Sequence, residues 1–157
     1  MSSPSVQERW APGNACFGCG PANPKGLRIR SVPTGGPAGE LACDWTPEPH
    51  HAAFPGVLNG GVIGALLDCH MNWTAVMRLK ERDALESAPC CVTSEFSVKL
   101  TRPTPVDGAV RLVARVVEEG ADRAVVEAEL SAGGKVCARG RGTFVAVKPG
   151  HPAYHRW

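Results

Sequence analysis

Asp68 is the one carboxylate in an apolar run, Gly61-Val-Ile-Gly-Ala-Leu-Leu-Asp-Cys-His-Met71. A carboxylate there must be reached by solvent, paired or protonated, because burying it unpaired costs several kcal/mol or more. The run opens on Asn59, Gly60 and Gly61. The first N–H groups of a helix lack intrahelical partners and attract negative charge. With no side chain on Gly60 or Gly61, an incoming oxygen could reach them. Together these residues describe an oxyanion site and a carboxylate base or nucleophile.

Other residues offer chemistry with less support. Cys16-Phe-Gly-Cys19 has metal-ligand spacing, but no second such pair and no ordered His pair completes a zinc site. No βαβ pattern surrounds it, as a redox pair would have. A tight turn with buried small residues is the simpler reading, and no metal or cofactor is expected. His50 and His51 lie in a Pro/Ala-rich loop, where bracing or solvated roles fit better. His70 is two residues from Asp68, about 200° around a helix, so the two cannot share a face. Arg102, Arg139 and Arg141 could meet phosphates as bidentate donors, although arginines on exposed strands are usually solvated. Trp73 and Met77, at i and i+4, read as core or subunit contacts.

The 157 residues suit one domain with a sizeable core. Seventeen basic against fifteen acidic side chains argue against a dedicated nucleic-acid binder. No apolar run has spanning length and no charged start precedes an apolar segment, so no membrane helix or signal peptide is expected. Seven cysteines without such a signal point to reduced thiols and the cytoplasm.

The elements that would position these groups follow from periodicity and turn residues. Residues 1–15 read as a loose arm, residues 16–148 as the domain and residues 149–157 as a tail. A hairpin is expected from strands at residues 27–32 and 40–45. A helix follows from about Gly61 to Arg78 or beyond. Alternation then puts Val92, Ser94, Phe96, Val98 and Leu100 on one strand face and Thr93 on the other. Three further strands, residues 110–119, 123–131 and 135–147, are separated by glycine-bearing turns. The economical solution is α+β: one long helix wrapped by a curved antiparallel sheet of five or six strands.

Three segments in this order resemble the hotdog-fold acyl-CoA thioesterase superfamily, in its phenylacetate-pathway branch. They are Cys16-Phe-Gly-Cys-Gly-Pro-Ala-Asn-Pro-Lys-Gly-Leu27, then Pro55-Gly-Val-Leu-Asn-Gly-Gly61 with Leu66-Leu67-Asp68, then Val92-Thr-Ser-Glu-Phe-Ser-Val-Lys-Leu-Thr-Arg-Pro103. The resemblance spans roughly residues 16–147. It implies hydrolysis of acyl-CoA without cofactor. Asp68 would be nucleophile or general base, Gly61 with Gly60 beside it the oxyanion donor, and Thr93 and Ser94 helpers. It also implies a homodimer at least, a homotetramer being compatible, because in this branch aspartate and oxyanion donor come from different subunits.

Two departures stand out. Asn59 occupies the place of the family's histidine; it can cap a helix and donate a hydrogen bond, but cannot titrate near neutrality. Cys69 follows the aspartate where some relatives carry an acid. Asn59 keeps open a non-catalytic acyl-CoA or acyl-ligand binding module on the same fold. A hotdog dehydratase fits less well: Gly61 stands near the place of the expected glutamate, and no histidine lies at the right distance upstream.

Overall fold

The computed structural model describes residues 2–155. The long helix, α2 (Gly60–Arg82), has 23 residues. It follows a short helix α1 (Val6–Trp10), a hairpin of β1 (Val32–Pro33) and β2 (Leu41–Trp45), and a small hairpin of β3 (Ala52–Phe54) and β4 (Val57–Leu58). Four long strands come after it: β5 (Cys91–Leu100), β6 (Val110–Glu119), β7 (Arg123–Ala132) and β8 (Lys135–Ala146). All pairings are antiparallel, and the six-stranded sheet runs β1-β2-β6-β7-β8-β5. This is the expected hotdog arrangement. Leu66, Leu67, Met71 and Val76 of α2 are fully buried with Leu112, Val126, Leu130 and Phe144 of the sheet. Among the described residues no helix is long and apolar enough to cross a membrane.

α2 is buried on more than the face the sheet can cover, because residues 5–31 wrap the rest. The arm expected to be loose is instead docked, and its first turns are the reason. Ser5 and Glu8 form a reciprocal capping box: the Ser5 N–H donates to Glu8 Oε2 (2.7 Å) and the Glu8 N–H to Ser5 Oγ (3.2 Å). That fixes α1 and sends Val6 and Gln7 inward, where both are buried. Gln7 then joins a buried chain of hydrogen bonds. Its Nε2 donates to Ser31 Oγ (2.9 Å), and its Oε1 accepts from the Ser31 N–H (2.9 Å). Ser31 Oγ lies 2.8 Å from His70 Nδ1, and His70 Nε2 lies 3.1 Å from the Leu41 carbonyl. A carbonyl only accepts, so Nε2 carries the proton, Nδ1 accepts, and the Ser31 hydroxyl donates to it. Burial pushes the His70 pKa down to about 4, so the ring is neutral.

The first strand is shorter than the expected residues 27–32. Arg28 adopts φ 54°, a left-handed conformation that ends an extended run. Leu27 and Ile29 donate their N–H groups to Phe17 and Gly18 instead, stitching the segment to the wrap. At the other end, the His155 N–H reaches Cys90 Sγ (3.1 Å). The last two residues of the expected 149–157 tail, and Met1 of the arm, lie outside the described residues.

Candidate active site

α2 and β5 meet along a line of small residues. A methyl group on Gly60 would stand 3.2 Å from Leu100 Cδ1, and one on Gly64 3.9 Å from a Phe96 ring carbon. Four residues further along α2, Asp68 Oδ1 accepts from Thr93 Oγ1 at 2.7 Å. Gly60, Gly64 and Asp68 thus share the helix face that looks onto β5. Simple alternation placed Thr93 on the face opposite Phe96. A β-bulge resolves the difference: Thr93 pairs with Phe144 while Glu95 pairs with Thr143, so Ser94 is the extra residue. The insertion flips the phase, bringing Thr93 to the helix side with Phe96 and Leu100. Ser94 itself is exposed.

The Asp68 carboxyl is half-buried, and burial raises its pKa above the ordinary aspartate value. The Thr93 hydroxyl opposes that shift, and negative charge at Cys16 would add to it. A raised carboxylate is a stronger base while ionised. Thr93 occupies Oδ1, so the other oxygen is the one available to a water or an acyl carbon. His70 sits on the far side of α2, as its angular offset requires. His51 braces its loop, accepting the Glu48 N–H at Nδ1 (2.9 Å) and packing its ring on Trp45.

Asn59 caps α2. Its Oδ1 accepts from the Val62 N–H (3.1 Å) and its carbonyl from the Ile63 N–H (3.1 Å). Among the described residues no hydrogen bond engages the N–H of Gly60 or Gly61. The cap therefore leaves the first two donors of the helix unclaimed, with the helix dipole behind them. Seven residues of helix separate Gly61 from Asp68, about 10 Å of axial rise on nearly the same face. One carbonyl group cannot touch both within a single chain.

Arg102 is exposed on the segment after β5, and no ion pair engages it among the described residues. Arg139 and Arg141 lie on the outer face of the sheet. There they bond Glu129, Glu127 and Glu118 beside a concavity of about 430 Å³, on the face away from α2. Sequence reasoning passed over one neighbour of the site. Cys16 approaches α2 beside Asp68, its Sγ 3.8 Å from that of Cys69. Cys69 is 53 residues away along the chain, and no local signal links the two.

The sequence model of the thioesterase superfamily matches residues 55–138, more than half of the chain. No curated protein matches in sequence. Among solved structures, a thioesterase superfamily protein from Shewanella loihica is 29% identical, with 76% of this chain and 91% of that one covered at a TM-score of 0.63. A conserved protein of Pseudomonas aeruginosa is 30% identical over 77% of this chain and 90% of its own, TM-score 0.62. A phenylacetic acid degradation-related protein from Ralstonia eutropha is 28% identical over 75% and 83%, TM-score 0.61. A Bacillus halodurans protein crystallised with CoA shares the fold at 24% identity over 78% and 76%, TM-score 0.62.

Proposed function

The chain belongs to the thioesterase superfamily, and on that premise we propose that it hydrolyses acyl-CoA thioesters to free acid and CoA. The observation that carries the reading is the half-buried Asp68 carboxylate held by Thr93 on the helix whose first two N–H groups are unclaimed. Asp68 acts as general base on water, or as nucleophile. The Gly61 N–H, with Gly60 beside it, takes the carbonyl oxygen as it gains charge, a contribution of a few kcal/mol for such a donor. As the C–S bond breaks, the CoA thiolate leaves and is protonated. Asn59 serves by capping: it aims the helix start and needs no titration. Ser94 and Arg102, both exposed near β5, are proposed to contact substrate.

The separation of about 10 Å between Gly61 and Asp68 supports a site completed by a second chain, with each subunit lending its helix start to the other's aspartate. β5 supports the same reading. It is an edge strand with Phe96 and Leu100 43% and 55% exposed, the kind of edge that pairs unless protected. We therefore propose a homodimer as the catalytic unit, with a homotetramer compatible. The choice of CoA as carrier is supported by the phenylacetate-branch resemblance and by the CoA-bound Bacillus halodurans protein on the same fold. The test is thiol release from a panel of short, long and aromatic acyl-CoAs. Turnover of any of them supports hydrolysis. Saturable binding without turnover of any moves the assignment to an acyl-ligand binding module.

A further inference from the structure

The sequence supplied two cysteines of metal-ligand spacing and no third ligand, and for that reason no metal was expected. The fold supplies the third. The Sγ atoms of Cys16, Cys19 and Cys69 all lie within 4.8 Å of one another, and all three cysteines are free. Cys16 and Cys19 come from the wrap, Cys69 from α2. Zinc holds thiolates at about 2.3 Å in tetrahedral geometry, which sets sulfur–sulfur separations of about 3.8 Å. Cys16 and Cys69 stand 3.8 Å apart, far beyond the ~2.05 Å of a disulfide.

The surroundings are arranged as metal-site surroundings are. The Trp73 indole N–H donates to Cys19 Sγ at 3.3 Å. The Asn14 side chain steers both wrap cysteines, its Oδ1 accepting the Cys16 N–H (2.9 Å) and its Nδ2 directed at Cys19 Sγ (4.0 Å). Outer hydrogen bonds of this kind orient ligands. Gly18 makes the approach possible: a methyl group there would stand 2.4 Å from Cys69 Sγ. Cys16 is exposed, which leaves solvent to supply a fourth ligand.

We infer that Cys16, Cys19 and Cys69 bind one thiophilic divalent cation, zinc, which clasps the N-terminal wrap to α2 beside Asp68. Binding exchanges thiol protons for metal–sulfur bonds and releases those protons to solvent.

The test uses the full chain, reduced with a phosphine, stripped by a chelator and titrated with Co²⁺ and then Zn²⁺. The expected result is near-ultraviolet thiolate-to-cobalt absorption saturating at one Co²⁺ per chain, abolished by one equivalent of Zn²⁺. Losing an outer partner costs ~10–100-fold in metal affinity, so loss of a ligand in Cys16→Ser or Cys69→Ser should cost at least ~100-fold. Cys137→Ser, remote from the cluster, should bind as wild type. Cys16 is exposed, so Cys16→Ser keeps the fold even if Cys69→Ser does not. Absence of the absorption in the wild-type protein, or wild-type affinity in Cys16→Ser, overturns the inference. Neither readout depends on the protein being a hydrolase.

Discussion

Ser31→Ala should destabilise this protein out of proportion to the one oxygen it removes. That oxygen does two jobs in a place water does not reach: it donates to His70 Nδ1 and accepts from Gln7 Nε2. Gln7, Ser31 and His70 are all 0% exposed. Each buried polar group left without a partner costs about 1–3 kcal/mol. Two such groups, with some relief if the arm loosens around Gln7, give about 3 kcal/mol. For a chain of this length that is roughly 6–12 °C in Tm. The measurement is urea unfolding followed by tryptophan fluorescence. A cycle with Gln7→Leu separates the terms. The double variant no longer strands the Gln7 amide, so the two changes should cost less together than the sum of the singles, by at least ~0.5 kcal/mol. A Ser31→Ala protein within ~0.5 kcal/mol of wild type, or strict additivity in the cycle, would refute the directional network drawn here.

The same histidine sets an acid limit. Its pKa is about 4 when folded and about 6.5 when unfolded. The unfolded chain thus binds a proton between these values that the native chain refuses. Stability is full above pH 6.5 and falls by about 2 kcal/mol from pH 7 to pH 5; denaturant midpoints should show this, and His70→Gln should lose that share of the slope. Asp68→Asn should lower turnover at least ~100-fold. Thr93→Val removes the hydrogen bond that holds the Asp68 pKa down, so the acid limb of the pH–rate profile should move to higher pH; a stationary limb separates Thr93 from the carboxylate. Asn59→Ala should cost about 1 kcal/mol as a lost cap, and if capping is the whole role of Asn59, Asn59→His will not raise activity. Phe96→Glu on β5 should give a monomer by light scattering and abolish turnover, and an active monomer contradicts the two-chain site.

The helix and the antiparallel strand count were legible because burial on one side imposes a period, and periods survive in sequence. Asp68, Gly60 and Gly61 were legible because they violate their surroundings. Thr93 was named as a partner for Asp68, yet alternation assigned it to the wrong face. A bulge is a property of pairing between β5 and β8, and β5 alone carries no mark of it. The docked arm was written in Ser5-Val-Gln-Glu8, a capping-box pattern passed over in favour of the polar, Pro/Gly-bearing composition around it. The short first strand could not be foreseen, because a left-handed Arg28 is set by bonds to Phe17 and Gly18. Cys69 had no visible connection to Cys16 until the wrap was folded against α2.

The wrap also sets an order of events during synthesis. Residues 5–31 leave the ribosome before α2 and the sheet, and so before every partner they bind outside the wrap. Trp73 and His70 lie on α2, and α2 has a sheet to rest on only once β8 is complete. At translation speeds of about 5–20 residues per second, Phe144 follows Ser31 by roughly 6–23 seconds. Through that interval Val6, Leu27 and Ile29 have no core to enter. In the finished protein the dependence runs the other way. The wrap ends just before β1 and contributes no strand to the sheet, so it can open while the six strands stay paired. Hydrogen exchange should then find residues 5–31 opening at lower free energy than β6–β8, so that a segment made before its partners is the last to lock and the first to release.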